Sequence, residues 1–472
     1  MAASVSLDSH SSVAYAASSH LSAADRLGPV YSLRPMTFET RAPSQNVKAP
    51  DELLSRELGV RQLAAVIFNY TVGSGIFVLP AVVAAQLGPS AILAYLICAF
   101  IMALSVTCFA EAGSRVSTSG GPYAYVEAAL GPLPGFLTGV LNLLSALASA
   151  GFVASAFAAS AAALIGTSSA LVKGALMALV LSAAAAINIR SVSGGARLVE
   201  AAVVAKTVPL ILFVVVGAAF LRVEYLSWPS TPPLLSVMST AGVLVFAFLG
   251  IEGALQPSGE VHDPSRTVPR ALSLAIAAVV VLYISIQVVA QGLLGDALPG
   301  DRVAPLAEAA ATVVGPAGRT FMLIGATVSM FGFLCGTVLT GPRSLFAFAQ
   351  RRLAPRALAV VHPSRRTPHV AIIVYVAIAL GLALTGSFES LLVLANISGL
   401  LVYVGVAVAA WELRRRDVRA HGEPFVAPGG AIVPALTCAI IVAVIVATVS
   451  WIEMASVGGV MAIAAVVYVL RR

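Results

Sequence analysis

Two short runs of the sequence place helix-breaking and polar residues inside long apolar stretches. The first is Gly-Ser-Gly at 73–75, followed by Pro80, and the second is Gly-Ile-Glu-Gly at 250–253, followed by Pro257. Glycine weakens a helix by about 1 kcal/mol relative to alanine, and proline removes a backbone donor. Each first glycine precedes its proline by seven residues (80 − 73 and 257 − 250). The two runs therefore predict two matched helix interruptions.

An interrupted helix inside a membrane offers backbone groups as its chemistry. Freed N–H and C=O groups at depth are tolerated only where they line a cavity or bind a solute. Amides at the start of a half-helix attract a carboxylate, and carbonyls at the end of one attract an ammonium group. A zwitterionic amino acid would satisfy both, and paired interruptions are typical of transporter sites. The alternative is that the glycines serve only the close packing of helices.

Two ionisable side chains lie at depth in these apolar runs. Lys206 is the only lysine well inside one, and Glu252 lies within the second interruption. A charge at the bilayer centre costs at least about 2.5 kcal/mol, so both residues are candidates for function. Lys206 could carry a proton, or it could extend its ammonium to the membrane surface. Glu252 could attract a cationic substrate, carry a proton, or cap the neighbouring half-helix.

The elements that position these residues are transmembrane helices. Of 472 residues, 59% are hydrophobic and 10% charged, whereas a soluble domain carries about 25% charged residues. Apolar runs of membrane-spanning length recur from about residue 62 onwards, and in lipid such runs must be helical. We predict an all-α membrane protein with about twelve spans, at 62–86, 90–114, 132–163, 169–189, 197–221, 237–258, 271–294, 319–350, 369–386, 388–412, 431–450 and 454–470.

The segment before the first span is polar and contains no apolar core typical of a signal peptide. We predict that residues 1–57 form a disordered cytoplasmic tail and that residues 58–472 form the transporter domain.

The distribution of basic residues predicts the orientation. Of the 28 Lys and Arg residues, Lys206 and Arg343 fall inside spans. Four more, Lys173, Arg222, Arg302 and Arg319, fall on one face, which leaves 22 on the face that holds both termini. Basic residues favour the cytoplasmic side. We therefore predict cytoplasmic termini in an inner or plasma membrane. This location accounts for the net charge of +7 without a nucleic-acid partner.

Several function classes are excluded by what the spans lack. The four cysteines are spread through apolar runs, and the six histidines lie in the tail or in and beside loops. We therefore expect no metal site, no catalytic residues, no cofactor and no enzymatic activity. A phosphate-binding loop and a repeated selectivity filter are also missing. A channel or a membrane enzyme is the remote alternative.

Several motifs resemble those of the amino acid–polyamine–organocation superfamily of permeases. The resemblance covers about residues 58–470. It rests on the two interruptions, Gly73–Phe77 and Phe246–Glu252, and on three further segments, Ser119–Tyr125, the loop at 259–270 and Gly341–Ala347. It implies a five-plus-five inverted repeat, with one repeat at about 62–221, a second at about 237–412, and two additional helices at about 431–470.

The resemblance also implies roles for individual residues. The substrate carboxylate would meet the backbone around Val72, Gly73, Ser74, Gly75 and Ile76. The amino group would meet carbonyls around Phe246, Ala247 and Leu249, while Phe246 and Phe248 would shape or gate the site. In proton-coupled members a fifth-span lysine stands in place of a sodium ion, and Lys206 matches it, with Ser329 as a neighbour.

The resulting hypothesis is a secondary active transporter that takes up amino acids together with protons. Its partners would be the substrate, protons and the lipid bilayer. The alternative is an antiporter for a cationic amino acid or polyamine, because acidic residues at the position of Glu252 occur in such exchangers. Substrate identity and oligomeric state stay open.

Overall fold

The structure is a computed structural model. It describes residues 58–471 except 191, 229, 257, 302, 420 and 421, with no side-chain description for 192–200. The predicted tail at 1–57 and Pro257 of the second interruption lie outside the described residues. The described residues belong to one compact unit.

The described chain is helical, and its only β-type pairing is an isolated bridge between Leu58 and Val261. The helices are α1 (Val60–Thr71), α2 (Gly75–Leu87), α3 (Ile92–Arg115), α4 (Pro122–Leu130), α5 (Pro132–Leu164), α6 (Ala170–Arg190), α7 (Val192–Ala218), α8 (Leu234–Leu244), α9 (Ile251–Ala254), α10 (Pro264–Leu294), α11 (Pro305–Val314), α12 (Pro316–Gln350), α13 (His369–Thr385), α14 (Phe388–Arg415), α15 (Ile432–Thr448) and α16 (Trp451–Arg471). At the centre, α5 packs against α12 and α14, α3 against α10, and α7 against α12.

Long apolar helices dominate this architecture. Within the described ranges, nine helical segments are long and apolar enough to cross a membrane, and α11, α13 and α15 are shorter apolar helices. The protein is therefore a helical membrane protein, as the composition predicts. The number of twelve spans and the inverted repeat stay predictions.

The first predicted interruption is present. Helix α1 ends at Thr71 and α2 begins at Gly75, so the chain leaves the helix over Val72–Ser74. Pro80, which we expected to contribute to the unwinding, lies inside α2. Pro80 removes the bond to the carbonyl of Ile76 and crowds that carbonyl, yet α2 continues through it to Leu87. The break is therefore made by the Gly-Ser-Gly run.

The second interruption is longer. Helix α8 ends at Leu244, a 3₁₀ turn covers Val245–Phe248, and Leu249 is extended. Gly250 then takes a φ of 132°, which side chains with a Cβ rarely adopt, and α9 begins at Ile251.

The two interruptions touch each other through their backbones. A Cβ built on Gly75 would lie 2.9 Å from Ala247 Cα, and one built on Gly250 would lie 2.6 Å from the carbonyl carbon and oxygen of Tyr70. Only glycine permits both approaches. The two interrupted segments therefore cross with Gly75 against Ala247 and Gly250 against the Tyr70 carbonyl, and neither glycine has room for a side chain.

A buried ion cluster joins elements at the face predicted to be cytoplasmic. The carboxylate of Glu111, at the end of α3, pairs with Arg414 of α14 and accepts from Arg115 Nε at 3.3 Å. It also accepts from the Ala427 amide at 3.2 Å. Because breaking a buried ion pair leaves an uncompensated charge, this cluster fixes α3, α14 and the segment before α15 relative to one another.

Candidate functional site

A cavity lies where the two interruptions meet. It encloses about 690 Å³ of empty space, including its open mouth. The walls come from both interrupted segments, from the middle of α5 and from α12 between Phe333 and Ser344. Polar groups on α5 and α12 face it, namely Asn142, Ser145, Ser149, Thr337, Thr340 and Ser344. The site is thus a concave, mixed apolar and polar pocket at the helix breaks.

The start of α2 presents free backbone donors to this region. The amides of Ser74, Gly75 and Ile76 have no hydrogen-bond acceptor in the described chain. The buried hydroxyl of Ser74 also lacks a partner there. Ser74 and Gly75 line the cavity. Successive free amides at a helix N-terminus form an anion-binding position.

The carbonyls released at the end of α1 are held by a cation from α7. The ammonium of Lys206 donates to the carbonyl oxygens of Asn69 and Val72, each at 2.6 Å. The side chain is 0% exposed, so it does not extend to the membrane surface. Lys206 has no ion pair among the described residues. Its charge is therefore stabilised by backbone dipoles of the first interruption.

A tyrosine on α10 contacts both interruptions at once. The Tyr283 hydroxyl lies 3.0 Å from the carbonyl oxygen of Thr71 and 3.0 Å from that of Ala247. The side chain is fully buried. Tyr283 therefore bridges the end of α1 to the unwound part after α8.

Glu252 places a carboxylate at the wall of the cavity. Its Oε2 accepts from the Gly250 amide at 2.9 Å and from the Tyr403 hydroxyl at 3.0 Å. Both contacts use the same oxygen, so Oε1 has no hydrogen bond among them. Of the described residues that line the cavity, Glu252 alone carries a formal charge. The carboxylate thus receives the amide of the residue that precedes α9, and its Oε1 takes part in neither of these two bonds.

The two phenylalanines of the second interruption lie differently. Phe246 lines the cavity and meets Phe152 edge to face, with 4.6 Å between the ring centroids. Phe248 is fully buried and packs on Tyr283 at 5.0 Å. Phe248 is not among the residues that line the cavity, and neither are Val72 and Ile76. Phe248 thus supports Tyr283 and does not face the cavity.

Ser329 lies on the stretch of α12 that packs against α7. On either side of it, Gly325 approaches Pro209 and Gly332 approaches Ala202. The Ser329 hydroxyl is buried and has no partner among the described residues. The structure brings Ser329 to the helix that carries Lys206 but forms no hydrogen bond between the two side chains.

Three tyrosines at this site were missed in the sequence: Tyr70, Tyr283 and Tyr403. Tyr70 lines the cavity and donates to the Gly336 carbonyl at 3.1 Å. Hydroxyl groups near the middle of apolar runs were the available signal, since buried hydroxyls need partners. The sequence does not tell which of the eleven tyrosines turn inward.

Comparison with known proteins gives a consistent result. A sequence profile described as "Amino acid permease" matches residues 58–470. The serine/threonine exchanger SteT of Bacillus subtilis is 29% identical over 388 residues, which cover 79% of this chain and 86% of SteT. The methylthioribose transporter of the same organism is 27% identical, covering 84% of this chain and 89% of the relative. The branched-chain amino acid permease BcaP of Bacillus subtilis is 24% identical, with 82% and 86% covered.

Proposed function

The chain belongs to the amino acid permease family, and from that premise we propose that it is a secondary active transporter that takes up amino acids together with protons. The family and the named relatives are described as permeases, exchangers and transporters. The proposal adds the driving ion, the binding site and the direction of transport.

The observation that carries the proposal is the row of free amides at the start of α2. A substrate carboxylate would bind the N–H groups of Ser74, Gly75 and Ile76, where backbone donors and the helix dipole favour a negative charge. The substrate ammonium would bind carbonyls of the second interruption around Phe246, Ala247 and Leu249. The side chain would then extend towards the polar wall of α5 and α12.

Proton coupling is supported by the placement of Lys206. Its ammonium bonds to the carbonyls of Val72 and Asn69, which lie two and five residues before Ser74, where the free amides begin. Loss of its proton would remove a charge from the first interruption and weaken both hydrogen bonds, since bonds to charged groups are the stronger ones. Protonation of Lys206 would thus be linked to the shape of the substrate site. Ser329 is a second polar group on the facing helix.

The wider arrangement follows from the same proposal. Twelve spans, a five-plus-five inverted repeat and cytoplasmic termini in an inner or plasma membrane would place the two interruptions at equivalent positions of the two repeats. The charge bias supports this orientation.

Purified protein in proteoliposomes tests the function directly. We expect one class of amino acids to raise the melting temperature, because a ligand that binds only the folded state stabilises it. The same compounds should accumulate inside vesicles when an inward proton gradient is imposed, and collapse of the gradient should end accumulation. Absence of both effects for all twenty amino acids would contradict the proposal.

A second candidate function is the exchange of a cationic amino acid or polyamine. It is favoured by Glu252, whose Oε1 bonds to neither Gly250 nor Tyr403 and which is the one formal charge at the described cavity wall. A second ammonium group on the substrate would pair with this oxygen. Uptake that requires preloaded internal substrate would distinguish exchange from proton-driven uptake.

Replacing Glu252 with glutamine tests the cationic substrate. The change keeps the shape and the acceptor for Tyr403 but removes the charge. Because a hydrogen bond to a charged group contributes about 1.5–3 kcal/mol, binding of a cationic substrate should weaken by at least about tenfold. Affinity for neutral amino acids should change far less.

Thermal-shift titrations with lysine, putrescine and serine measure the difference. Glu423→Gln is the matched control, since Glu423 is 86% exposed and pairs with Arg419. Equal effects of Glu252→Gln on all three ligands would rule out a cation subsite.

A further inference from the structure

A polar stripe runs along one buried face of α10. Tyr283, Gln287 and Gln291 follow each other at intervals of four residues, which places them on the same face of a helix. Their exposed fractions are 0%, 1% and 2%. Tyr283 contacts the two interruptions, and the Gln291 amide reaches the Gly295 carbonyl at 3.2 Å, just after the helix ends. The stripe therefore spans about 12 Å between the helix breaks and the end of α10.

The polar atoms in the middle of this stripe have no partner. Both the oxygen and the nitrogen of the Gln287 amide are buried without a hydrogen bond in the described part of the chain. The same holds for Gln291 Oε1. Leaving such groups unpaired inside a protein is costly, and buried polar groups nearly always bond to protein or to ordered water. A glutamine with both ends unpaired therefore indicates a small bound partner.

A second unpaired group faces the stripe from α3. The buried hydroxyl of Tyr95 has no partner among the described residues, and Tyr95 lies near Tyr283. Helix α3 packs along α10, with Gly113 near Val268 and Tyr95 near Tyr283. Tyr95 therefore lies beside the Tyr283 end of the stripe, one helical turn from Gln287.

The chemistry of these groups selects a neutral ligand. The side chains of Gln287, Gln291 and Tyr95 offer an amide donor, amide oxygens and a hydroxyl, and none of the three is a carboxylate or a cation. The nearby thiol of Cys98 already donates to the Ala241 carbonyl at 3.2 Å. An ion would lack a counter-charge here. Water, which needs both donors and acceptors, matches the set.

We propose that Tyr95, Gln287 and Gln291 bind a short file of water molecules, and that this file carries protons between the outer end of α10 and the helix interruptions. Along such a file each water accepts one proton and passes another on, so no bond is gained or lost overall. At its inner end the file reaches Tyr283, which is bonded to Thr71. The final acceptor of the proton is the neutral amine of Lys206, which lies at the same interruption and bonds to Val72, the residue after Thr71. The inference rests on the proposed proton coupling and adds the route by which protons arrive.

The water file is tested first by chemical labelling. With the four native cysteines replaced by alanine, Gln287→Cys should react with methyl methanethiosulfonate, a small neutral thiol reagent, added outside. Val289→Cys is the matched control, because Val289 is also buried but packs against Gly217 of α7. An unreactive cysteine at 287, or equal reactivity at 289, would overturn the proposal.

The proton route is tested by Gln287→Leu, which removes the unpaired amide at similar size. Loss of the hydrogen bonds from Gln287 to the water file should lower proton-driven accumulation of substrate by at least about tenfold more than it lowers substrate exchange. Exchange at equal pH on both sides needs no net proton flow. The melting temperature should not fall. Accumulation and exchange that change together would overturn the route. Failure of the proposed function is seen separately, as wild-type uptake that ignores an imposed proton gradient.

Discussion

Replacing Lys206 with methionine should abolish proton-driven accumulation. Methionine has similar length but offers no donor, so the carbonyls of Asn69 and Val72 would lose the bonds that hold them at 2.6 Å. Two hydrogen bonds from a charged group, at about 1.5–3 kcal/mol each, correspond to a change of at least about a hundredfold. The measurement is substrate accumulation in proteoliposomes across a range of imposed proton gradients.

Lys173→Met serves as the control for this change. Lys173 lies near the start of α6 and is partly exposed, so its removal should leave the gradient dependence intact. Accumulation by Lys206→Met that still follows the proton gradient would exclude Lys206 as the coupling group, whatever its effect on the rate.

Replacing Gly250 with alanine should abolish substrate binding. The added Cβ would lie 2.6 Å from the carbonyl carbon and oxygen of Tyr70, and the φ of 132° is strained for any residue with a side chain. The group in the way is the backbone carbonyl of Tyr70, which cannot rotate away as a side chain could. Strain of about 1–3 kcal/mol at the residue, added to the displacement of α1, should weaken binding by at least about a hundredfold.

Ligand-induced thermal shifts measure this effect, and two further variants make it specific. Gly459→Ala on α16 is the control, because a Cβ there meets nothing within 4 Å. Gly75→Ala should resemble Gly250→Ala, since its Cβ would approach Ala247 Cα at 2.9 Å. Undiminished ligand shifts in both variants would show that the crossing of the two interruptions does not form the site.

The interruptions themselves could be predicted from the sequence because their cause is local. Glycine at 73, 75 and 250 lowers helix stability whatever surrounds it. The depth of Lys206 was equally readable, since the apolar run that contains it fixes its position along the span. These are properties of composition along one helix, and no knowledge of neighbouring helices is needed.

The orientation of side chains around the breaks could not be predicted in the same way. Phe246 and Phe248 are two residues apart in an irregular segment, where neither helical nor extended periodicity assigns faces. The structure sends Phe246 to the cavity and Phe248 to Tyr283. The bridging role of Tyr283 likewise depends on how α10 packs beside α1, and packing between distant segments leaves little trace in a single sequence.

The bridge made by Tyr283 has a consequence for how substrate binding would act on the two interrupted helices. A phenol has one hydrogen, yet two carbonyl oxygens lie 3.0 Å from the Tyr283 oxygen. The single hydrogen cannot make a full hydrogen bond to both oxygens at once. A substrate ammonium group, bound as proposed, would donate to one of them while the Tyr283 hydroxyl donates to the other. Substrate binding would then change the hydrogen bonding of both interrupted helices through the rotation of the Tyr283 O–H bond.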